Sequence, residues 1–232
     1  MSERFSIETP NGAFSAYVAR PAAAQAPAVV VIQEIFGVNA VMREVCDRLA
    51  SDCGYLAVCP DLFWRLEPDV DITDQSQAAW DRAMDLMNRF DVDQGVEDIR
   101  AVIDRVRRDP ACSGKVGAVG YCLGGRLAFL TATRTDSDAS VGYYGVGIEI
   151  YLGEAERLAQ PLMLHIAEED AFVSKAAQKR IVSTLKDHPQ VTIFTYPGCD
   201  HAFARPRGAH FDPAAAGLAD GRTADFFKRH LG

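Results

Sequence analysis

The 232-residue sequence lacks several features that would place it in a specialised class of protein. No apolar run approaches the roughly 20 residues that a membrane-spanning helix needs. The N-terminal stretch Met1–Ser6 has no apolar core of a secretory signal, so we expect a cytoplasmic protein. The six cysteines include no Cys-x-x-Cys pair, which argues against a metal centre. In a chain of this length they are expected to be free thiols rather than a disulfide framework.

Positive charge is also scarce. Lys and Arg number 24 against 32 Asp and Glu, which gives a formal net charge of −8 at pH 7. Binding to nucleic acid requires a basic surface, so we expect neither a nucleic-acid nor a membrane partner. We expect a monomer that acts on a small molecule. An anionic substrate would gain nothing from the overall charge, and a local arginine would have to hold it.

What the chain does contain is an alternation of apolar strands and amphipathic helices. Strands that are apolar on every residue are typical of a parallel sheet covered on both faces, so we predict one α/β domain over residues 1–232. In such sheets the ligand site lies beyond the carboxyl ends of the strands. The predicted strands are Phe14–Ala19, Ala28–Ile32, Tyr55–Cys59, Lys115–Val119, Val141–Tyr144, Pro161–Ala167 and Val191–Tyr196, and the predicted helices are Ala40–Ser51, Ser76–Phe90, Val92–Arg108, Ser174–Lys186 and Pro213–His230.

One of these strands ends in Gly120-Tyr121-Cys122-Leu123-Gly124-Gly125. Gly-x-Cys-x-Gly between a strand and a helix is the cysteine form of the nucleophile elbow, a sharp turn that presents a nucleophile at its tip. The glycines leave room for the close strand and helix, and Cys122 would occupy a strained backbone conformation. The alternative is that Cys122 is a core thiol, since free cysteine is commonly buried.

Two later strands lead into the groups that a nucleophilic cysteine needs. The order nucleophile, acid, histidine predicts Asp170 as the acid and His201 as the base. Asp170 is preferred to the two preceding glutamates because it lies deeper in its loop. Asp200 is the other candidate, but a residue next to His201 cannot normally reach its ring in the required direction. His165 lies inside a strand, where a hydrogen-bonded core residue is expected.

The oxyanion hole is predicted to use the backbone N–H of Leu123 and one from the loop after the Ala28–Ile32 strand. Ile35 is the first candidate in that loop, and Phe36 is the alternative. Glu34 places a carboxylate directly beyond a buried strand. It either forms a salt bridge at the rim or supplies a charge that tunes the thiol or the histidine.

Taken together, these residues resemble the dienelactone hydrolase family. The resemblance covers nearly the whole chain. It rests on Cys122, Asp170 and His201 and on the segments Gln33–Asn39, Val58–Leu62, Gly120–Gly125, Gly142–Gly147 and His201–Arg205.

The resemblance implies an α/β-hydrolase fold and hydrolysis of a carboxylate-bearing enol-lactone to maleylacetate, a step in the degradation of aromatic compounds. It implies no metal and no organic cofactor. Cys122 would be the nucleophile, His201 the base and Asp170 its orienting partner. Glu34 would pair with the resting cysteine and help to deprotonate it, and Arg205 would bind the substrate carboxylate.

The remaining substrate-binding residues implied by the resemblance are Phe36, Tyr144 and one position on the Ser76–Phe90 helix. The family has an arginine at that position, where this sequence has Trp80. Arg82 lies two residues along, about 200° around the helix, so only a register shift would bring it to the same side. The substrate is therefore held either with Arg82 or with Arg205 and an aromatic surface from Trp80.

Two other functions fit parts of the sequence. A broader carboxylesterase or thioesterase would use the same triad, and the tryptophan at position 80 favours it. A nucleotide-binding module would use the glycine-rich Lys115–Gly125 stretch, but no acidic residue follows the next strand where a ribose would need one.

Overall fold

The computed structural model describes residues 3–232, and its internal contacts divide the chain into two compact units, Met1–Gly117 and Ala118–Gly232. They are called the N-terminal unit and the C-terminal unit. The prediction of a single domain stays a prediction. None of the helices within residues 3–232 combines the length and apolar character needed to cross a membrane.

Strands and helices alternate along both units, as the sequence predicts. The strands are β1 Glu3–Thr9, β2 Gly12–Ala19, β3 Ala26–Ile32, β4 Leu56–Pro60, β5 Cys112–Tyr121, β6 Ala139–Tyr143, β7 Leu162–Ala167 and β8 Val191–Tyr196. The helices are α1 Ala40–Ser51, α2 Gln77–Arg89, α3 Val92–Arg107, α4 Leu123–Arg134, α5 Lys175–Leu185 and α6 Pro213–Leu231, with short 3₁₀ helices at Ile148–Ile150 and Leu152–Arg157.

The N-terminal unit contains a strand that the sequence prediction missed. The first strand was expected at Phe14–Ala19, but β1 precedes it and pairs antiparallel with β2. Only Phe5 and Ile7 of β1 are buried, and they alternate with exposed polar residues. Two apolar residues are too few to predict a strand from the sequence. The strand forms because it pairs with β2. β2 also pairs antiparallel with β4, which pairs parallel with β3.

Side-chain caps set the helix starts, which explains why the predicted starts agree with the structure to within one residue. A capping side chain accepts a hydrogen bond from a backbone N–H of the first turn, where no intrahelical acceptor exists. The capping residues are Asn39, Ser76, Asp91, Ser174 and Asp212, for α1, α2, α3, α5 and α6 respectively.

In the C-terminal unit, β6, β7 and β8 pair in parallel, and β6 and β7 are buried at every residue. A polar network links these strands to α6. His165 on β7 contacts the Tyr196 hydroxyl through Nδ1 at 2.7 Å and the Thr223 hydroxyl through Nε2 at 3.0 Å. The Thr223 hydroxyl also lies 2.6 Å from that of Tyr143, which in turn donates to Asp220 at 3.1 Å. This histidine is the hydrogen-bonded core residue that its place in a strand predicts.

Burial, assisted by the positive charge of Arg222, lowers the pKa of His165 from 6.5 to about 3. The folded protein therefore keeps His165 neutral where the unfolded chain protonates it. Between pH 6.5 and 3 the unfolded state binds more protons at this position, so stability contributed by His165 is lost as the pH falls through that window.

We predict that His165→Gln reduces the dependence of unfolding free energy on pH between pH 6 and 4. The slope should fall by up to about 1.4 kcal/mol per pH unit, the full effect of one proton. Urea unfolding across this range measures it. His188→Gln is the matched control, because it removes a histidine from the loop after α5 without touching the network. Equal slopes for the wild type and His165→Gln would contradict the prediction.

Candidate active site

The elbow at Cys122 has the strained geometry that its sequence predicts. β5 ends at Tyr121, α4 begins at Leu123, and Cys122 between them has φ 56° and ψ −113°. A positive φ is uncommon for a residue other than glycine and persists only where the surroundings enforce it. The Cys122 N–H donates to the Tyr143 carbonyl at 3.1 Å, which fixes the turn against the end of β6.

Two glycines of the elbow are required by close backbone approach. A Cβ at Gly120 would lie 1.9 Å from the carbonyl oxygen of Gly124, and a Cβ at Gly125 would lie 2.4 Å from that of Tyr143. Neither backbone atom can move aside, because each belongs to a helix or a strand. The glycine pattern therefore allows β5, α4 and β6 to meet at the nucleophile.

The C-terminal unit brings Cys122, His201 and Asp170 together. The Nδ1 atom of His201 lies 2.9 Å and 3.1 Å from the two carboxylate oxygens of Asp170. A side-chain hydrogen bond also joins His201 to Cys122. Since Asp170 occupies Nδ1, Nε2 is the ring nitrogen left for the thiol. The three residues are nearly completely buried.

The neighbours of His201 change its pKa strongly. Burial alone would lower its pKa, but the charge on Cys122 and the hydrogen bonds to Asp170 and Cys122 outweigh burial. Together they raise the pKa of His201 from 6.5 to about 10. The imidazole therefore has a strong tendency to hold a proton beside the cysteine sulfur.

Backbone hydrogen bonds hold the Asp170 carboxylate in place. Its Oδ1 accepts from the N–H groups of Phe172 at 2.8 Å and Val173 at 3.2 Å. The carboxylate thus closes its own loop and faces His201 at the same time, which the depth of Asp170 in the loop suggested.

Asp200 has a structural role that the sequence analysis did not assign. One carboxylate oxygen accepts from the His201 N–H at 2.6 Å and from the Ala171 N–H at 2.9 Å. Asp200 therefore binds the backbone of the histidine rather than its ring, and it joins the His201 loop to the Asp170 loop. One indication of this role was present in the sequence, because Asp200 directly precedes the predicted base.

Aromatic rings surround His201. Tyr144 lies edge-on to it with ring centroids 5.1 Å apart, and Phe172 lies edge-on at 4.9 Å. Tyr144 is buried, whereas Phe172 is 49% exposed. Arg205, the predicted carboxylate ligand, is half-buried four residues after His201 in the same loop. Leu123 is the first residue of α4, so its N–H points out of the helix start without an intrahelical acceptor.

The remaining predicted residues belong to the N-terminal unit. Glu34, Ile35 and Phe36 lie in the loop after β3, separated from its end by one residue, and are all buried. Trp80 on α2 packs edge-on against Phe36 with ring centroids 5.3 Å apart. Arg82 is turned to Glu67 and forms an ion pair with it. The aromatic side chain at position 80 is thus the one that contacts the loop after β3.

Within the described part of the chain, no three His, Cys, Asp or Glu side chains come together in an arrangement that could hold a metal ion.

Comparison with known proteins gives one consistent result. The model of the dienelactone hydrolase family matches residues 14–231. A protein of Azospirillum brasilense named “Putative carboxymethylenebutenolidase” is 54% identical over 226 residues, which is 96% of each chain. The carboxymethylenebutenolidase of Pseudomonas putida is 41% identical over 227 residues, 97% of this chain and 96% of that protein.

Solved structures show the same similarity in three dimensions. The crystal structure titled “Putative Dienelactone Hydrolase” from Klebsiella pneumoniae superposes with a TM-score of 0.86 at 26% identity. The match covers 99% of this chain and 98% of that one. The predicted α/β-hydrolase fold is thereby confirmed.

Proposed function

The chain belongs to the dienelactone hydrolase family of carboxylic ester hydrolases, and on that premise we propose that it hydrolyses a small carboxylate-bearing enol-lactone. The product would be an open-chain dicarboxylic acid of the maleylacetate type. The observation that carries the proposal is His201, which is hydrogen-bonded to both Asp170 and Cys122 at a nucleophile elbow.

In this mechanism His201 takes the proton of the Cys122 thiol, and the sulfur attacks the lactone carbonyl. The N–H groups of Leu123 and Ile35 would bind the oxyanion of the tetrahedral intermediate. The carbon–oxygen bond of the ring then breaks, the enol oxygen takes the proton from His201, and a thioester to Cys122 remains. A water molecule deprotonated by His201 hydrolyses the thioester and restores the thiol.

An enol-lactone suits a cysteine nucleophile. Sulfur forms the thioester readily, but it is also a good leaving group and can be expelled again from the tetrahedral intermediate. An enol oxygen leaves more easily than an ordinary alkoxide, because its charge is delocalised into the adjacent double bonds. Ring opening therefore competes with return to the free thiol.

We predict that Cys122→Ala lowers kcat/KM for a dienelactone by at least about 10³-fold while the protein stays folded. Hydrolysis is followed by the loss of lactone absorbance, and folding by circular dichroism. The control is Cys53→Ala, which removes an exposed thiol after α1. Hydrolysis by Cys122→Ala near the wild-type rate would exclude the cysteine mechanism.

Glu34 is proposed to assist deprotonation of Cys122. We predict that Glu34→Gln slows acylation more than it weakens substrate binding, because the amide keeps the shape of the carboxylate but lacks the negative charge that assists transfer of the thiol proton to His201. Rapid-mixing kinetics with an aryl ester separate the acylation rate from binding affinity. Glu8→Gln, on the exposed side of β1, is the matched control. An acylation rate unchanged by Glu34→Gln would rule out this role.

A broader carboxylesterase or thioesterase activity is the second candidate, and the contact of Trp80 with Phe36 favours it. An aromatic surface accepts apolar acyl groups without requiring a carboxylate. A panel of dienelactones, simple lactones, aryl esters and thioesters, compared by kcat/KM, distinguishes the two. We expect the dienelactones to be best, and a simple aryl ester or thioester that exceeded them would establish the broader activity.

A further inference from the structure

The peptide bond after His201 leads into strained backbone. Ala202 has φ 61° and is buried, in a conformation that is uncommon for a residue other than glycine. Such a residue persists only where surrounding contacts enforce it. The Ala202 carbonyl accepts from the Arg205 N–H at 2.9 Å, which holds one end of the residue. The peptide unit at its other end is held by a side chain from further along the chain.

That side chain is His210. Its Nδ1 atom lies 3.2 Å from the carbonyl oxygen of His201 and 3.5 Å from Oδ2 of Asp200. Both oxygens are acceptors, so Nδ1 carries a proton and donates it to them. The His210 side chain is 47% exposed, so its contribution is this hydrogen bond rather than core packing. A substitution at position 210 should therefore leave the fold intact.

The segment that carries His210 is itself fixed to the loop after β8. On one side of the histidine, the Gly208 N–H donates to the Arg205 carbonyl at 3.1 Å. On the other side, the Asp212 N–H donates to the Phe203 carbonyl at 2.9 Å, and the Asp212 side chain caps α6. The imidazole of His210 is thus placed by backbone contacts that flank it.

Both peptide units at the catalytic base are therefore bonded. The His201 N–H donates to Asp200 at 2.6 Å, and the His201 carbonyl accepts from His210. The direction of the Cα–Cβ bond depends on these two peptide units, and the direction of the ring depends on that bond. The Asp170 carboxylate binds the ring itself but not the backbone that carries it. A displacement of about 1 Å in a catalytic group can lower the rate about 100-fold.

We propose that His210 is a positioning residue for the catalytic base. By donating to the His201 carbonyl, it holds the strained peptide unit between His201 and Ala202, so that the imidazole of the base faces Cys122. The inference rests on the proposed function, since it takes His201 as the base. The requirement is a donor at one point in space, so an amide N–H at that point should replace the imidazole N–H.

Two simpler roles would have different effects on the kinetics. A contact that only stabilises the loop would lower thermal stability without changing kcat. A contact between His210 and the substrate would appear in KM. Loss of a positioning residue lowers kcat and kcat/KM equally, because the misplaced base acts only after the substrate has bound.

The test compares His210→Leu, which has no donor, with His210→Asn, whose amide nitrogen is the same number of bonds from Cα as Nδ1. We expect His210→Leu to lower kcat for a dienelactone by about 10- to 100-fold with KM unchanged, and His210→Asn to retain most of the activity. Circular dichroism verifies that both variants are folded.

The matched control is His188→Leu. His188 also contacts the backbone of its own loop, where it accepts from the Gln190 N–H at 3.2 Å just before β8 begins. This variant should keep the wild-type kcat. An unchanged kcat in His210→Leu, an effect confined to KM, or equal losses in His210→Leu and His210→Asn would overturn the proposal.

Alkylation of the nucleophile separates this proposal from the proposed function, because it needs no substrate. Iodoacetamide reacts with the thiolate form of cysteine, which a correctly placed imidazole favours. At pH 7, we expect Cys122 to be alkylated at least about 3-fold more slowly in His210→Leu than in the wild type or His210→Asn, as measured by peptide mass spectrometry. The exposed Cys53 is the internal reference and should react equally in all three proteins.

Slower alkylation of Cys122 in His210→Leu supports the assignment even if the wild type hydrolyses no dienelactone. Equal or faster alkylation in that variant would overturn it, whatever the activity of the wild type.

Discussion

The backbone of Cys122 is the constraint on which the rest of the C-terminal site depends. Its positive φ is a conformation that costs about 1–3 kcal/mol, and hydrogen bonds on both sides of the residue stabilise it. The N–H donates to the Tyr143 carbonyl at the end of β6, and the carbonyl accepts from Gly125 and Arg126 in α4. Because strand and helix both hold the residue, the backbone of the nucleophile is fixed before any substrate arrives.

Backbone hydrogen bonds also position the acid and the base, which lie in the loops after β7 and β8. β7 and β8 run in parallel, so the loops that carry Asp170 and His201 leave the same edge. The Glu169 N–H donates to the Cys199 carbonyl at 2.9 Å, and the Asp200 carboxylate joins the two loops again. These hydrogen bonds fix the position of the Asp170 loop relative to the His201 loop. The short Asp170–His201 contact is a result of this backbone pairing as much as of the attraction between the side chains.

The sequence predicted where these groups lie along the chain better than it predicted the contacts that hold them in place. Cys122 and Asp170 could be located because each follows a largely buried strand, which has a strong local pattern, and His201 follows the last strand of the same alternation. β1 was missed because its pairing with β2 contributes more than its own two buried residues. The role of Asp200 depends on side-chain direction and on contacts with a distant loop. Spacing along the chain does not encode either of these.

The environment of His201 changes during the proposed reaction in a way that serves both of its steps. Once Cys122 has lost its proton, the charge on its sulfur and its hydrogen bond help to hold the pKa of His201 near 10. Once the sulfur carries the acyl group, that charge and that hydrogen bond are gone. Burial, which lowers the pKa, is then opposed by Asp170. The histidine that shares a proton with the cysteine in the first step therefore becomes a neutral base for water in the second, as deacylation requires.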